Sequence, residues 1–571
     1  MERLNNYVLM EIFEYLDGST LKCCMETCSS WAEIIGSSLT TMKKLPLIVD
    51  NERMSDQKEN LEQIKTLKRN YHSLIIDEVR VTCLIVTPLK ALIGNIRLLE
   101  LIHVDQTDAS WKTLLRNLNS IETITIVESK HSNNRKVGKE ERIKIPTLKF
   151  LTVIDSDWSF FEAIGETQME ELKIHHRSFY PTHLNYFLGF LKLQTTLSSL
   201  AIRVQQASIY KVFANGESNS LKFRLKKLSV THKNYNDLIN EKNLLEFLDL
   251  HKESLEHFET VSRLSPKIYE HLFTKMKLKS LMLNASSFPR DSIKYNTLRS
   301  NPHLIKLVLT GELKDNDAAQ GFFAIYRKIK ILSINNWSAD VANDILVTII
   351  NNLTMISHLK IPYLVENTPE LQIASLKKLH IESIDTKINL QSIILNQNNL
   401  EKISVKWIND DVNEAIEQAS TRLNKLQRAS FGPGFKPTCQ TLKALKDNCP
   451  NLHTLEVFYD GKQPISENIL SAVNGNRFKV FQYKNYSAPM IFTFEKSMWH
   501  EEDKIFINLS SQPTSDTESM DDSDSDGDID FGDTSDDDSF ENNPFYNYYS
   551  DSDDMDFNDY MMREVIGFLI N

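Results

Sequence analysis

A short leucine-rich unit that recurs along most of the chain constrains the fold more than any other feature. The unit has the form Leu-x-x-Leu-x-Leu, with other apolar residues allowed at the three fixed positions, and about 17 copies lie between residues 71 and 483. The first copy begins at Tyr71 and the last at Phe478, so the average period is about 25 residues. The alternating end of each copy predicts a short β-strand with one apolar face.

The copies differ in how well they keep the apolar positions. Clear copies begin at Leu148, Leu225, Leu278, Leu304, Ile329, Ile356, Leu376 and Leu452. Weaker copies begin at Tyr71, Ile96, Ile121, Met169, Leu197, Leu255, Leu400, Leu426 and Phe478. Segments with helical apolar spacing lie between several of them, as at Trp111, Leu114 and Leu115. Because one strand and one helix cannot enclose a core, the pattern predicts an α/β array whose stacked units share one core.

The first 35 or so residues follow a different, helical pattern. Their spacing predicts one wide apolar stripe on a short helix, made of Leu4, Val8, Leu9, Ile12, Phe13 and Leu16. Residues 17–19 interrupt this helix, and Leu21 and Trp31 fall in two further short helices. Three short helices bury little apolar surface by themselves, so we expect this unit to gain stability from a partner.

The order of residues in this helical segment resembles the F-box pattern, and the segment is LNNYVLMEIFEYLDGSTLKCCMETCSSW. The matching positions include Leu4, Val8, Leu9, Ile12, Phe13, Leu16, Leu21, Cys28 and Trp31. Asn5 and Tyr7 depart from the pattern, since the family usually has proline and glutamate there. The resemblance implies a three-helix F-box at residues 1–40. It also implies that the matching residues divide between the domain core and the contact with a Skp-family adaptor.

The repeats resemble those of leucine-rich-repeat proteins, and the stretch CPNLHTLEV at 449–457 resembles the cysteine-containing repeats that accompany F-boxes. This resemblance implies a horseshoe-shaped solenoid over residues 71–500. The family's asparagine or cysteine at the strand exit is mostly absent, as at Glu312 and Trp337. Residues 41–70 should form a linker and solenoid cap, with a strand at 45–50 and a charged helix at 55–68. A polar, basic stretch at 131–141 should be a surface loop.

An acidic segment at residues 511–560 contains 18 Asp or Glu and no Lys or Arg. Because the whole chain has a net charge of −12, the remainder carries +6. Such a segment cannot form an apolar core and should be disordered. It would keep the chain in solution, or alternatively screen a basic surface on the solenoid or compete there with an acidic substrate. Candidate phosphorylation sites, each with an acidic residue three positions on as in casein kinase II sites, are Ser515, Ser519, Ser523, Ser525, Thr534, Ser535 and Ser550. Residues 561–571 become apolar again, which is consistent with a short docking helix or a frayed end.

Several other functions find no support in the sequence. Residues 522–533 match an EF-hand loop by position, but neither flank predicts a helix, so we expect no metal and no cofactor. The six cysteines show no C-x-x-C or zinc spacing, which indicates buried thiols in a reducing, cytoplasmic or nuclear environment. We find no signal-peptide pattern, no membrane-spanning run, no catalytic motif and no basic stripe with aromatic residues for nucleic acid.

The two resemblances together imply a non-catalytic substrate receptor of an SCF-type (Skp–cullin–F-box) ubiquitin ligase. The F-box would bind a Skp-family adaptor and, through it, a cullin scaffold. Outward strand residues, such as Lys306 and Val308 or Lys279 and Met282, would bind a protein substrate. An alternative is a leucine-rich-repeat scaffold independent of ubiquitin, whose acidic tail binds basic partners such as histones. Adaptor binding through residues 1–40 distinguishes the two hypotheses.

Overall fold

A computed structural model describes two folded parts, which are a helical unit at the N-terminus and a long β/α array. It describes residues 5–16, 18–50, 71–81, 89–90, 93–132, 143–158, 160–164, 167–176, 181–204, 221–232, 241–287, 303–365, 368–384, 387–432, 434–459 and 479–484. The expected helix at 55–68, the acidic segment at 511–560 and the apolar end at 561–571 lie outside these residues.

The described part of the N-terminal unit contains four short helices, one more than the sequence predicts. They are α1 (Asn6–Glu14), α2 (Gly18–Thr27), α3 (Ser29–Ser37) and α4 (Leu39–Lys43). The sequence pattern missed α4 because five residues are too few to show a helical period. Met42 of α4 and the following Leu45 are buried in the same small core as Phe13 of α1.

Within the described residues the main sheet has eighteen parallel strands, and each pairs with the strand of the next repeat along the chain. The first nine are β1 (Leu47–Asp50), β2 (Ser73–Asp77), β4 (Leu98–Ile102), β6 (Thr123–Val127), β8 (Phe150–Ile154), β9 (Glu171–His176), β10 (Ser199–Val204), β11 (Lys227–His232) and β12 (His257–Glu259). The other nine are β13 (Ser280–Asn284), β14 (Lys306–Leu313), β15 (Ile331–Trp337), β16 (His358–Leu364), β17 (Lys378–Ile384), β18 (Lys402–Ile408), β19 (Arg428–Phe431), β20 (Thr454–Tyr459) and β21 (Lys479–Lys484).

Helices connect many of these strands. They are α5 (Asp108–Asn117), α6 (Phe160–Ile164), α7 (Pro181–Leu193), α8 (Glu241–His251), α9 (Pro266–Lys275), α10 (Asn316–Ile325), α11 (Ala342–Asn352), α12 (Lys387–Ile394), α13 (Asn413–Ser420) and α14 (Cys439–Asn448). Short 3-10 turns lie at Ala285–Ser287 and Ala339–Val341. The helix expected around Trp111 is α5, so alternation of strand and helix follows the predicted period.

Each of the 17 predicted copies falls on one strand of the main sheet, from β2 to β21. The strand expected at 45–50 is β1, which pairs with β2. The last copy is displaced by one residue, because the register aligns Leu455 with Val480 rather than with Phe481. Apolar residues occur in both alternating sets of positions along this strand, so alternation alone could not fix its register.

In the copies from β2 to β20 the second and third fixed positions turn inward, and the third is polar at Thr260, in the copy that begins at Leu255. The apolar ones form one continuous core. In the middle of the array, Leu332, Leu359 and Leu379 lie opposite one another on neighbouring strands. Side chains of the helices complete this core, which extends without a break from Val49 to Val457. This continuity is what stacked units need, because each repeat is covered by its neighbours.

The first four repeats end their strands with a residue in the left-handed region. Glu78, His103, Glu128 and Asp155 have φ values of 52, 50, 43 and 43°. Beyond this turn, β3 (Arg80–Val81), β5 (Asp105–Thr107) and β7 (Lys130–Ser132) form a second, three-stranded parallel sheet. The stretch predicted to be a loop at 131–141 therefore begins as a strand. Its polar residues gave no strand pattern, because the pairing depends on the neighbouring repeats.

The strand-exit position is polar in two of these repeats. Ser129 Oγ accepts a hydrogen bond from the backbone N–H of Val104 at 3.0 Å and donates one to the carbonyl of Val127 at 2.8 Å. Ser156 Oγ accepts from the backbone N–H of Ser129 at 3.0 Å. These serines satisfy buried backbone groups between adjacent repeats.

In β14–β18 the strand exit is apolar instead. These strands are seven or eight residues long and end on a buried side chain, which is Leu313, Trp337, Leu364, Ile384 or Ile408. A register shift beside Gly311, whose φ is 70°, aligns Leu313 with Trp337. Glu312 is therefore not the strand-exit residue that the spacing indicated. A bulge adds one residue to a strand and so defeats counting along the sequence.

Candidate functional site

Helix α1 carries apolar side chains on two faces rather than on the single stripe that the sequence predicts. Phe13 is buried, and Leu9 and Leu16 pack against the same core. Val8 and Ile12 lie on the neighbouring face, and each is 42% exposed. Residues four positions apart are neighbours on a helix surface, so these two side chains form one exposed apolar patch.

This patch continues past the last residue of α1 to the C-cap residue Tyr15, which is 49% exposed and follows Ile12 at helical spacing. We call Val8, Ile12 and Tyr15 the exposed face of α1. Tyr7, one of the two departures from the family pattern, is exposed beside it. This exposed face of α1 is a candidate contact surface for another protein.

Contacts at both ends fix the position of α1. Asn5 lies where the family pattern has proline, and its side chain accepts a hydrogen bond from the backbone N–H of Tyr7 at 3.1 Å, which caps the helix. At the other end, Lys44 Nζ donates to the carbonyl of Glu14 at 2.6 Å. Gly18 lies so close to Lys44 that a Cβ atom there would be 2.4 Å from the Lys44 carbonyl oxygen. Asn5 therefore begins α1 with a side-chain cap where the family pattern begins the helix with proline, and both favour helix initiation.

Helix α3 closes the small core from the other side. Trp31 packs edge-on against Phe13 with ring centroids 5.5 Å apart. Cys28 is exposed, and its Sγ accepts a hydrogen bond from the backbone N–H of Trp31 at 3.4 Å, so it caps the start of α3. Leu21 is fully buried.

The structure thus separates the nine residues that matched the F-box pattern into groups. Five contribute to the core, and these are Leu9, Phe13, Leu16, Leu21 and Trp31. Val8 and Ile12 are exposed, and Cys28 caps a helix. Leu4 lies outside the described residues. Helical spacing alone could not make this separation, because core and exposed residues alternate within one turn of α1.

Strand residues that alternate with the core leucines form the outer face of the main sheet. Near the N-terminal end of the array the last residues of β4, β6 and β8 give this face a small apolar cluster, since Ile102, Val127 and Ile154 lie opposite one another and pack apart from the main core. Phe150 on β8 is partly exposed. No copy of the leucine unit includes these positions, so the repeat pattern did not reveal the cluster.

The outward residues proposed as substrate contacts occupy two kinds of position. Lys306 and Val308 on β14, and Met282 on β13, are half-buried on the outer face. Lys279 precedes β13, and its Nζ lies 2.9 Å from a carboxylate oxygen of Glu256. Lys279 therefore lies just before the start of β13 rather than on the outer face of the sheet.

Over β16–β19 the outer face becomes basic. His358, Lys378, Lys402 and Arg428 lie opposite one another on four neighbouring strands, and we call these four residues the basic row. Lys378 is only 6% exposed. Each of the four is the third residue of its leucine unit, so the repeat alignment contains this signal once the period is known.

A single carboxylate joins the cations next to the basic row. Glu382 lies 2.9 Å from Lys360 Nζ, 2.8 Å from Lys406 Nζ and 3.2 Å from His380 Nε2. Burial alone would raise the pKa of the Glu382 carboxyl, but the hydrogen bonds from His380 and Lys406 and the charge of Lys360 outweigh it and hold that pKa well below its ordinary value.

One further cluster lies at the exits of the first strands. Nδ1 of His103 is 3.5 Å from Asp77, and Nε2 is 3.4 Å from Glu128 on the next repeat. Asp77, Glu78 and His103 could place three ligand atoms around one cation. Both ring nitrogens of His103 already face carboxylates, however, and exposed acidic groups are often found together without a bound ion.

Other predicted features lie elsewhere. All seven candidate phosphorylation sites and the EF-hand-like stretch fall outside the described residues. Of the cysteines in the described part, Cys449 is buried, whereas Cys23 and Cys28 are exposed, so the expectation of uniformly buried thiols was wrong. Burial raises the pKa of the Cys449 thiol to about 12. No helix in the described part is both long and apolar enough to cross a bilayer.

Comparison with known proteins identifies the N-terminal unit. The model of the F-box domain family matches residues 1–41. The chain therefore carries an N-terminal F-box domain, followed by a long parallel β/α array. No curated protein sequence matches the chain.

A solved structure described as the Rad7 and Elc1 complex in yeast is similar at 11% identity, covering 81% of this chain and 96% of that chain with a TM-score of 0.26. A similarity at this score carries no argument about function.

Proposed function

We propose that this chain is a non-catalytic substrate receptor of an SCF-type ubiquitin ligase, with its F-box bound to a Skp-family adaptor and its array bound to a protein substrate. The observation that carries the proposal is the F-box match at residues 1–41 together with the exposed face of α1. F-box domains bind Skp-type adaptors, and an exposed apolar helix face on a small unit offers such a partner a contact surface.

The array is proposed to be a leucine-rich-repeat solenoid that binds the substrate. Its regular period and continuous core support this reading. The receptor would act by proximity, because holding a substrate beside a conjugating enzyme raises the effective concentration of its lysines. Through the adaptor, the chain would join a cullin scaffold in the cytoplasm or the nucleus.

The first test is co-purification of the full chain with a Skp-family adaptor. We expect a stoichiometric complex with the natural chain, and at least a 100-fold weaker affinity for the Ile12→Asp variant, because a buried charge would lie at the centre of the contact. Ile12 is exposed in the free chain, so this substitution should leave the F-box core intact.

A matched control is Val347→Asp on α11, because Val347 is 41% exposed and lies on a helix of the array. Adaptor affinity of this variant should equal that of the natural chain. If the folded natural chain forms no complex, or if both variants weaken binding equally, the receptor proposal fails.

The alternative function, a scaffold for basic partners, is favoured by one observation, which is the 18 acidic residues at 511–560. Histone binding that persists without the adaptor and disappears when these residues are neutralised would support it. Under the receptor proposal, the same neutralisation leaves adaptor binding unchanged.

A further inference from the structure

The basic row places like charges opposite one another. Lys378 lies between His358 and Lys402, and Arg428 continues the row on the next strand. Like charges directly opposite on neighbouring strands are destabilising, and low exposure strengthens their repulsion. A surface of this kind is stabilised when an anion lies against it.

The formal charges of the described residues on this outer face are unequal. Over the outward positions of β16–β20 there are five Lys or Arg and two Glu. Glu382 contacts Lys360, Lys406 and His380, and Glu456 forms an ion pair with Arg428. The face therefore has an excess of about three positive charges before any histidine is protonated.

We infer that the acidic segment of this chain, residues 511–560, docks on the outer face of β16–β19 along the basic row. The charges are complementary, since the segment has 18 acidic residues and no Lys or Arg. The inference goes beyond the proposed receptor function, because it describes an internal occupant of the surface where a substrate would bind. It also does not depend on adaptor binding.

Chain length allows this docking. The described array ends at Lys484, and the segment begins at residue 511. The intervening residues can span at most about 90 Å, whereas β18 lies three strands, or about 14 Å, from β21. A segment tethered at this distance has an effective concentration on the order of millimolar, so it competes strongly with acidic ligands in solution.

The test uses a fluorescent peptide of residues 511–560 and two forms of the full chain. One is the natural chain, and the other has every Asp and Glu of 511–560 replaced by Asn and Gln. Because the natural segment already occupies the surface, we expect the peptide to bind the neutralised chain at least 10-fold more tightly in low salt. Binding should weaken strongly in 0.5 M salt.

Matched charge reversals then locate the surface. In the neutralised chain, Lys402→Glu should weaken peptide binding at least fivefold, whereas Lys306→Glu should change it less than twofold. Both lysines are half-buried and are the third residue of a leucine unit, but only Lys402 lies in the basic row. Circular dichroism would confirm that both variants fold.

Zero-length coupling of carboxylates to amines in the natural chain gives a second measurement that requires no variant. Cross-links from the acidic segment should concentrate on Lys402 and Lys406 rather than on Lys227 or Lys306. The inference is overturned if the peptide binds both chains equally, if the two charge reversals have equal effects, or if cross-links are spread evenly over the array. None of these outcomes involves the adaptor, so failure here and failure of the receptor proposal are distinguishable.

Discussion

The hydrophobic cores of the F-box unit and of the array differ in size and in how they are covered. The core of the F-box unit contains six buried apolar side chains, whereas the core of the array continues from Val49 to Val457. Each repeat of the array is covered by its neighbours, but the F-box unit leaves Val8 and Ile12 exposed on α1. The array thus covers its apolar faces through repetition, whereas the F-box unit keeps part of the apolar surface of α1 exposed.

The largest effect should come from truncating a large buried side chain of the array. Trp337→Ala should cost about 4–5 kcal/mol, because Trp337 is buried at the strand exit of β15 and leaves a large cavity. Hydrogen exchange should show the loss in β14–β17 and not in α1. Trp407→Ala is the control, since Trp407 is 44% exposed, and it should cost less than about 1 kcal/mol. Equal loss of protection in α1 would contradict the separation of the two cores.

A smaller, confined effect is expected from Phe13→Ala in the F-box core. The lost packing should cost about 3 kcal/mol, which is a large fraction of what six buried side chains can supply. Limited proteolysis should then cleave within residues 5–45 while the array stays intact. Saturating adaptor should restore protection, because a ligand that binds only the folded unit stabilises it.

The control for this experiment is Tyr15→Ala, which changes the exposed face of α1 and not the core. It should leave proteolysis of the free chain unchanged and weaken adaptor binding. If the two variants behaved alike in the free chain, the division of α1 into a core face and an exposed face would be wrong.

The smallest effect concerns pH and a buried histidine of the array. Burial, aided by the charge of Arg224, lowers the pKa of His251 to about 3, and His251 Nδ1 accepts a hydrogen bond from the backbone N–H of Leu225 at 3.3 Å. Between about pH 6.5 and 3 the unfolded chain binds a proton that the folded chain does not, so stability falls as pH drops below about 6.5. From pH 7.5 to 5 this loss should be about 2 kcal/mol.

Hydrogen exchange of β11, corrected for the intrinsic effect of pH on exchange, measures this loss. The His251→Gln variant should lack it. The F-box unit should show no comparable histidine effect, because the first histidine in the sequence is His72. A variant with the same pH dependence as the natural chain would show that His251 does not titrate as its burial requires.

Much of this architecture could be predicted from the sequence, and the failures have identifiable causes. The period of about 25 residues located every strand of the main sheet from β2 onward, because inward leucines are a requirement of each repeat. Counting positions along the repeat failed at Glu312, because the bulge beside Gly311 adds a residue. It also failed at β21, because apolar residues occur in both alternating sets of positions of that strand. It also failed for β7, whose polar residues pair only because neighbouring repeats align them.

The sequence by itself determined which residues are apolar, how often they recur and where the F-box pattern lies. Tertiary structure alone decided which apolar residues of α1 are buried, because core and exposed positions lie within one turn of each other and packing against α3 and α4 separates them. It alone brought Lys378, Lys402 and Arg428 together, since residues about 25 positions apart become neighbours only when parallel strands stack in register. Periodicity is a local property of a chain, whereas the composition of a surface depends on the register between repeats.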